Sequence, residues 1–250
     1  MAIAESTHWY KQDGSPQYTV IGKNGKERNA TLRDARELNL VPSVTTILQV
    51  PAKPALTNWL IDQALLSALT LPKIEGESLD DFKARAKADS KEQVTEAADI
   101  GTSIHAEIEK GFKGELNKGQ SVAFDGVLEW LDAAFPGTPW EAEQSFSSSL
   151  GFGGKLDLRG DIIFVDFKSK DGISGKDASK LVYDEHGMQL SAYAEGCGVS
   201  NPIRISCFID RKTRDAKFHV WDEESHKKHW GMFKALLEYW KLSKGYNPEY

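Results

Sequence analysis

The sequence predicts an α/β or α+β chain in which a helical N-terminal region precedes a central mixed β-sheet flanked by helices. Three observations predict it. From about Pro54 to residue 135 the apolar residues recur at three and four, and from Trp140 the period drops to two. Gly151, Gly153, Gly154 and Gly160 then punctuate short extended runs. Ile162-Ile163-Phe164-Val165 is apolar on both alternating faces, as in a central strand covered on both sides.

Taken in order, residues 8–32 read as a β-hairpin, with Tyr18 and Val20 alternating with polar neighbours and Asn24-Gly25 as its turn. A short helix from Leu32 to Asn39 follows. The segment VPSVTTILQVPAKP reads as a strand or buried turn, and carries the hydroxyls of Ser43, Thr45 and Thr46. Pro54 suits the first turn of a helix that runs to Leu69 before Pro72. A charged helix is predicted over 79–91, and a helix with a cleaner apolar stripe over 93–111, with His105 on the stripe and Glu109 at its edge. Another spans Val122–Phe135. Strands are expected at 140–147, 154–159 and 162–168, a long polar loop at 169–186, and a helix at 187–196. A strand at 203–210, its hairpin partner at 216–221 and a terminal helix over 223–243 complete the chain. The expected organisation is a hairpin and helical region at 1–92 and a core at 93–250, together one compact structural unit.

Of the 250 residues, 27% are charged and 40% hydrophobic, as in ordinary globular proteins, and the net charge is −6, which argues mildly against a general polyanion binder. Local basic groups stand out nonetheless at Lys23, Lys26, Arg28 and Arg33, and again at Arg204, Arg211, Lys212, Arg214 and Lys217. No window holds 18 apolar residues, so no membrane span is expected. The N-terminus lacks a secretory pattern, and two cysteines, Cys197 and Cys207, make neither a disulfide framework nor a metal knuckle. A cytoplasmic setting follows.

The chemistry concentrates between Gly154 and Lys168. Asp166 closes the most hydrophobic run in the chain, and burying its charge costs free energy unless it is paired or holds a metal. Asp166 and Lys168 are two apart and share a face; Asp157, on the preceding strand, reaches that face across a hairpin. Two carboxylates and an ammonium at the mouth of a sheet suit a hard divalent cation, since Mg²⁺ takes one or two carboxylates plus phosphate and water oxygens. The same spacing also makes a structural ion pair, Asp166–Lys168 or Asp157–Lys168. By themselves His105 reads as a satisfied core histidine, and Gln189 with Tyr193, one turn apart, as a half-buried helix face.

Four segments in order, GTSIHAEIEKG, GFGGKLD, VDFKSK and GMQLSAYAEG, resemble the motifs of the PD-(D/E)XK nuclease superfamily in its RecB-like exonuclease branch. PSVTTIL and the following helix with Trp59 resemble the N-terminal part of phage and mitochondrial members, which implies that the region 1–92 contacts DNA. The resemblance covers roughly residues 40–210 and implies a restriction-endonuclease-like core. It implies that His105, Asp157 and Asp166, with the Phe167 carbonyl, ligate Mg²⁺ or Mn²⁺, one or two ions. Glu143 and Glu109 are further candidate ligands, for which an ion pair is an equal alternative. Lys168 would orient or deprotonate the attacking water, while Gln189 and Tyr193 position the scissile phosphate or the strand. Ser43, Thr45, Thr46 and Lys170 are candidate substrate contacts; the hydroxyls equally suit a helix cap. Trp9, Tyr10, Trp59 and Tyr183 are candidate base-stacking groups.

The implied activity is a metal-dependent DNA exonuclease leaving 5′ phosphates, acting on linear DNA with a free end, in a bacterial or phage-infected cell. A single-strand-annealing or recombination protein is the implied partner. A structure-specific or restriction-type endonuclease and a catalytically inactive nucleic-acid-binding module are the alternatives. Some relatives carry four cysteines for an iron–sulfur cluster; two cannot supply one, so no cluster is expected. No segment has the G-x-x-x-x-G-K-[ST] pattern, so no ATP use is expected.

Overall fold

The computed structural model describes residues 8–249. They form two compact units: one joins the segment ending at Val50 to the segment beginning at Glu107, and the other is Pro51–Ala106.

In the first unit, β1 (Trp9–Tyr10) pairs antiparallel with β4 (Val41–Pro42), and β2 (Thr19–Ile21) with β3 (Glu27–Asn29). The β2–β3 turn carries Gly25 at φ 74°, a conformation glycine adopts without steric cost. Helix α1 (Leu32–Leu38) begins where the Thr31 N–H and hydroxyl both donate to Asp34, at 2.8 and 2.6 Å. Arg28 donates to both oxygens of the same carboxylate, and with Thr31 holds Asp34 well below the usual carboxylate range. Val41-Pro42 is extended, but the next residues coil into α2 (Val44–Ile47).

The second unit contains α3 (Pro54–Thr70) and most of α4 (Leu79–Phe112). Leu56, Ile61, Leu65 and Leu66 of α3 are exposed. The two helices expected over 79–91 and 93–111 are one 34-residue helix. Nothing in Asp89-Ser90-Lys91-Glu92 breaks a helix, so the change from a charged face to an apolar stripe alters what the helix exposes, not whether it continues. Residues 92 and 93 lie inside it.

The end of α4 returns the chain to the first unit, and helix α5 (Val122–Ala134) follows, capped by the Ser121 hydroxyl accepting the Phe124 N–H at 3.2 Å. Then come β5 (Glu141–Ala142), β6 (Ser145–Ser148), β7 (Phe152–Lys155), β8 (Leu158–Gly160), β9 (Ile163–Lys170), α6 (Asp184–Gly196), β10 (Ile203–Asp210), β11 (Ala216–Trp221) and α7 (Glu223–Lys244). The five-stranded sheet has the order β11-β10-β9-β8-β5, with β9 and β10 parallel and the other pairs antiparallel. The chain is therefore a mixed α/β fold, and β9 is its central strand, buried from Ile163 to Phe167. Among the described residues no helix is long and apolar enough to cross a membrane.

The strands expected at 140–147 and 154–159 each break in two. Glu143, at φ 61°, leaves the extended region, and beyond it β6 and β7 pair with each other away from the main sheet. The break is stitched by backbone bonds, Glu143 N–H to Asp157 O at 3.2 Å and Leu156 N–H to Gln144 O at 2.7 Å. It leaves Asp157 at the tip of a shortened ladder.

Candidate active site

The antiparallel β8–β9 ladder ends at Leu158 opposite Val165. Continued by one residue, this register sets Asp157 opposite Asp166. Instead of pairing through its backbone there, Asp157 turns its carboxylate onto the ladder: Oδ2 accepts the Phe167 N–H at 2.8 Å. In an extended strand a residue's C=O lies on the same side as its N–H, so the Phe167 carbonyl faces the same split in the sheet.

Asp166 is 1% exposed. Its Oδ1 accepts from Lys168 Nζ at 2.8 Å and from Gln189 Nε2 at 2.7 Å, and its Oδ2 lies 2.6 Å from the same ammonium. Gln189 Nε2 also donates to Tyr193 Oη at 2.8 Å. Gln189 and Tyr193 are one turn apart on α6 and present one face to β9. Burial and the Asp166 and Asp157 carboxylates push the Tyr193 phenol well above its ordinary value, so it keeps its proton. For Lys168, burial alone would lower the pKa; Asp166 and Asp157, the hydrogen bond to Asp166, and Glu185 outweigh it, and the ammonium is held above the ordinary lysine value. Glu185, four residues before Gln189 in the first turn of α6, is a contributor the sequence reading passed over; the i to i+4 spacing was its only signal.

The glycines are steric requirements. A Cβ on Gly154 would lie 2.8 Å from both the Tyr193 and Phe146 rings, and one on Gly153 would lie 2.7 Å from the Phe146 carbonyl and 3.0 Å from Tyr10. Strand β7 passes too close to α6 for a side chain.

Asp157, Asp166, Phe167, Lys168, Gln189 and Tyr193 thus meet in the first unit. His105 is half-buried on α4 within the second unit. Glu143 pairs with Lys155, and Glu109 with Lys113 at 2.5 Å one turn along α4; both make the ion pairs that were their alternative reading. The Ser43 hydroxyl accepts the Thr46 N–H at 3.0 Å and caps α2, and it lies 2.8 Å from the Thr46 hydroxyl and 3.0 Å from that of Thr45. Lys170 donates to the Leu181 carbonyl at 2.7 Å over the rings of Tyr183 and Phe208. Trp9 and Tyr10 are core, not stacking platforms, while Tyr183 is exposed. Arg204, read from the sequence as a local basic group, is 1% exposed: it lies on a buried strand under α7.

Among the described residues no group of three or more His, Cys, Asp and Glu side chains is spaced to hold a metal ion. The donor set nonetheless fits a hard cation in another way. Two carboxylates and a carbonyl face one split, and an ammonium already sits against both oxygens of Asp166. Mg²⁺ takes its remaining oxygens from phosphate and water.

No family model and no curated protein matches this chain. Among solved structures it is similar to the one described as "Crystal structure of SSO0001", at 16% identity and a TM-score of 0.31, over 72% of this chain and 86% of that one.

Proposed function

We propose that this chain is a metal-dependent deoxyribonuclease of the PD-(D/E)XK superfamily, in its RecB-like branch, with a restriction-endonuclease-like core, and that it degrades linear DNA from an end. One observation carries the reading: Asp157 and Asp166 are set opposite each other at a break in the sheet, with Lys168 and Gln189 donating to Asp166 and Tyr193 accepting from Gln189. Four sequence segments in the order of that family's motifs support it.

Asp157, Asp166 and the Phe167 carbonyl would hold Mg²⁺ or Mn²⁺. When bound, the cation supplies Lewis-acid stabilisation of the phosphate and lowers the pKa of water. The chain's own groups do the rest. Gln189 fixes the Asp166 carboxylate by a hydrogen bond, leaving it one orientation. Tyr193, protonated, stays a neutral polar group that adds no charge to the anionic pocket. Lys168 begins as an ammonium on Asp166. With Asp166 holding the cation instead, the Lys168 ammonium would be placed to donate to the attacking water or to the developing charge on the phosphate.

The test is incubation of end-labelled linear DNA, circular single-stranded DNA and closed circular plasmid with Mg²⁺, Mn²⁺ or EDTA. Loss of the linear substrate alone, with 5′-phosphate products and no reaction in EDTA, is expected. Cleavage of the circles would identify an endonuclease. Binding without any cleavage would reduce the chain to a nucleic-acid-binding module.

A further inference from the structure

β11 is an outer strand of the five-stranded sheet. Two adjoining clefts run along it and share Ala216 and Lys217. One, of about 360 Å³, reaches Val122 and Gly126 of α5 and Arg214; the other, of about 460 Å³, reaches Trp130 of α5, Lys176 and His219. The second is floored by Trp130 stacked on Phe218, ring centroids 4.0 Å apart.

Charge sets this edge apart. In a chain of net charge −6, residues 170–180 and 211–217 hold seven lysines and arginines against three aspartates. Those aspartates are engaged locally: Asp171 pairs with Arg211, Asp177 accepts the Ser179 N–H, and Asp215 accepts the Thr213 hydroxyl. Lys176, Lys212 and Lys217 make no ion pair among the described residues.

The two basic segments are also held together. Buried Asp210 accepts the N–H groups of Lys212 at 2.9 Å and Thr213 at 3.1 Å with one oxygen, and that of Ile173 at 3.1 Å with the other. Ile173, Leu181 and Phe208 form a small core beneath the loop, and Lys170 ties the far end of it to the Leu181 carbonyl. The long segment after β9 is therefore anchored, and its cations are presented from a fixed frame.

We propose that this edge is a track for the phosphodiester backbone of the nucleic-acid substrate, with Lys176 and Lys217 neutralising phosphates; the proposal rests on the nuclease reading and extends it. Charge complementarity selects the occupant, because a nucleic-acid strand presents evenly spaced negative charge with no demand on sequence. The track also adjoins the site. Lys170 follows Lys168 on the same face of β9, about 7 Å along the strand, and Asp210, which anchors the basic turn, is the β10 partner of Lys170.

Fluorescence anisotropy with labelled linear DNA, in EDTA across a series of NaCl concentrations, tests it. Lys176→Gln with Lys217→Gln should weaken binding roughly tenfold or more at low salt. It should also reduce the slope of log K against log[salt] by about 1.4–1.8, since each phosphate contact contributes ~0.7–0.9. Lys227→Gln with Lys244→Gln, exposed on α7 away from the track, is the matched control and should leave both quantities unchanged. Wild-type affinity and slope in the first pair, or equal losses in both pairs, would overturn the track. Competition by polyglutamate as strong as by DNA would overturn it in favour of an acidic protein partner. A track-dependent salt slope without cleavage in Mg²⁺ or Mn²⁺ would instead overturn the nuclease reading and leave the track standing.

Discussion

Two buried polar clusters flank α6, and they are built on opposite principles. On the β9 side, Asp166 with Asp157 beside it faces a single ammonium, so anionic charge is in excess. On the β10 and α7 side, Arg204 is surrounded almost entirely by neutral groups. Its Nη1 donates to the Ser191 hydroxyl at 2.9 Å, and its Nη2 to the Asp222 carbonyl at 2.7 Å and the Ser225 hydroxyl at 2.9 Å. Nη1 also lies 3.4 Å from His229 Nδ1. Arginine can only donate, so His229 is neutral at Nδ1 and carries its proton on Nε2, 3.2 Å from Asp184. Burial pulls the Arg204 guanidinium down to about 10, with Asp222 opposing the shift, and it stays charged at neutral pH. The second cluster is saturated and has nothing left to bind. The first, with carboxylates in excess, has a use for a cation. That difference is why the β9 cluster reads as the working site and the Arg204 cluster as the joint that fixes α6.

The comparison can be broken at the joint. Arg204→Met leaves two hydroxyls and a carbonyl without their donor, and is expected to cost about 3–5 kcal/mol in urea unfolding. Added Mn²⁺ should not restore it. Lys168→Ala, by contrast, should regain stability as Mn²⁺ is added, because a ligand that binds only the folded chain stabilises it by mass action. Equal responses of the two variants to Mn²⁺ would erase the distinction between the clusters.

Gly187→Ala is a gentler cut. A Cβ there would lie 2.4 Å from the His229 ring, so α6 must shift away from α7. A loss of about 1–3 kcal/mol is expected. Because Gln189 is two residues on, cleavage should fall as well. An unchanged denaturation midpoint with unchanged activity would show that the two faces of α6 are not coupled.

Acid should weaken the joint before the site. His229, His226 and His219 are all held below the ordinary histidine value, each chiefly by burial. The unfolded chain then takes up protons first, so stability is fully present above about pH 6.5 and falls as pH drops from there toward the folded values. Urea midpoints at pH 7.5, 6.5 and 5.5 should decline in that order; a flat series would contradict the buried neutral tautomers.

Much of this was legible in the sequence where side-chain periodicity decides structure. The bounds 203–210 and 216–221 are those of β10 and β11, and α5 and α7 lie within a residue of their expected ends. Asp166, Lys168, Gln189 and Tyr193 were legible because a period of two and a period of four each set two of them on one face. What periodicity could not carry was the third dimension. The break at Glu143 depends on a positive φ in a residue with no local signal for it. Arg204 looks like a surface cation until α7 folds over it. Ser43, Thr45 and Thr46 serve a phosphate or a helix end equally well in one dimension; in the fold Ser43 caps α2, and Thr45 is exposed. His105 reads from the motif as a ligand, but it lies on α4 in the second unit.

The central claim is that Lys168 acts on the phosphodiester while Asp157 and Asp166 hold the cation. The most direct measurement is cleavage and binding of end-labelled linear DNA by Lys168→Ala in Mg²⁺ or Mn²⁺. The expected result is DNA binding within a few-fold of the unaltered chain, with cleavage reduced by roughly 10²–10⁴. Cleavage close to that of the unaltered chain would contradict the account.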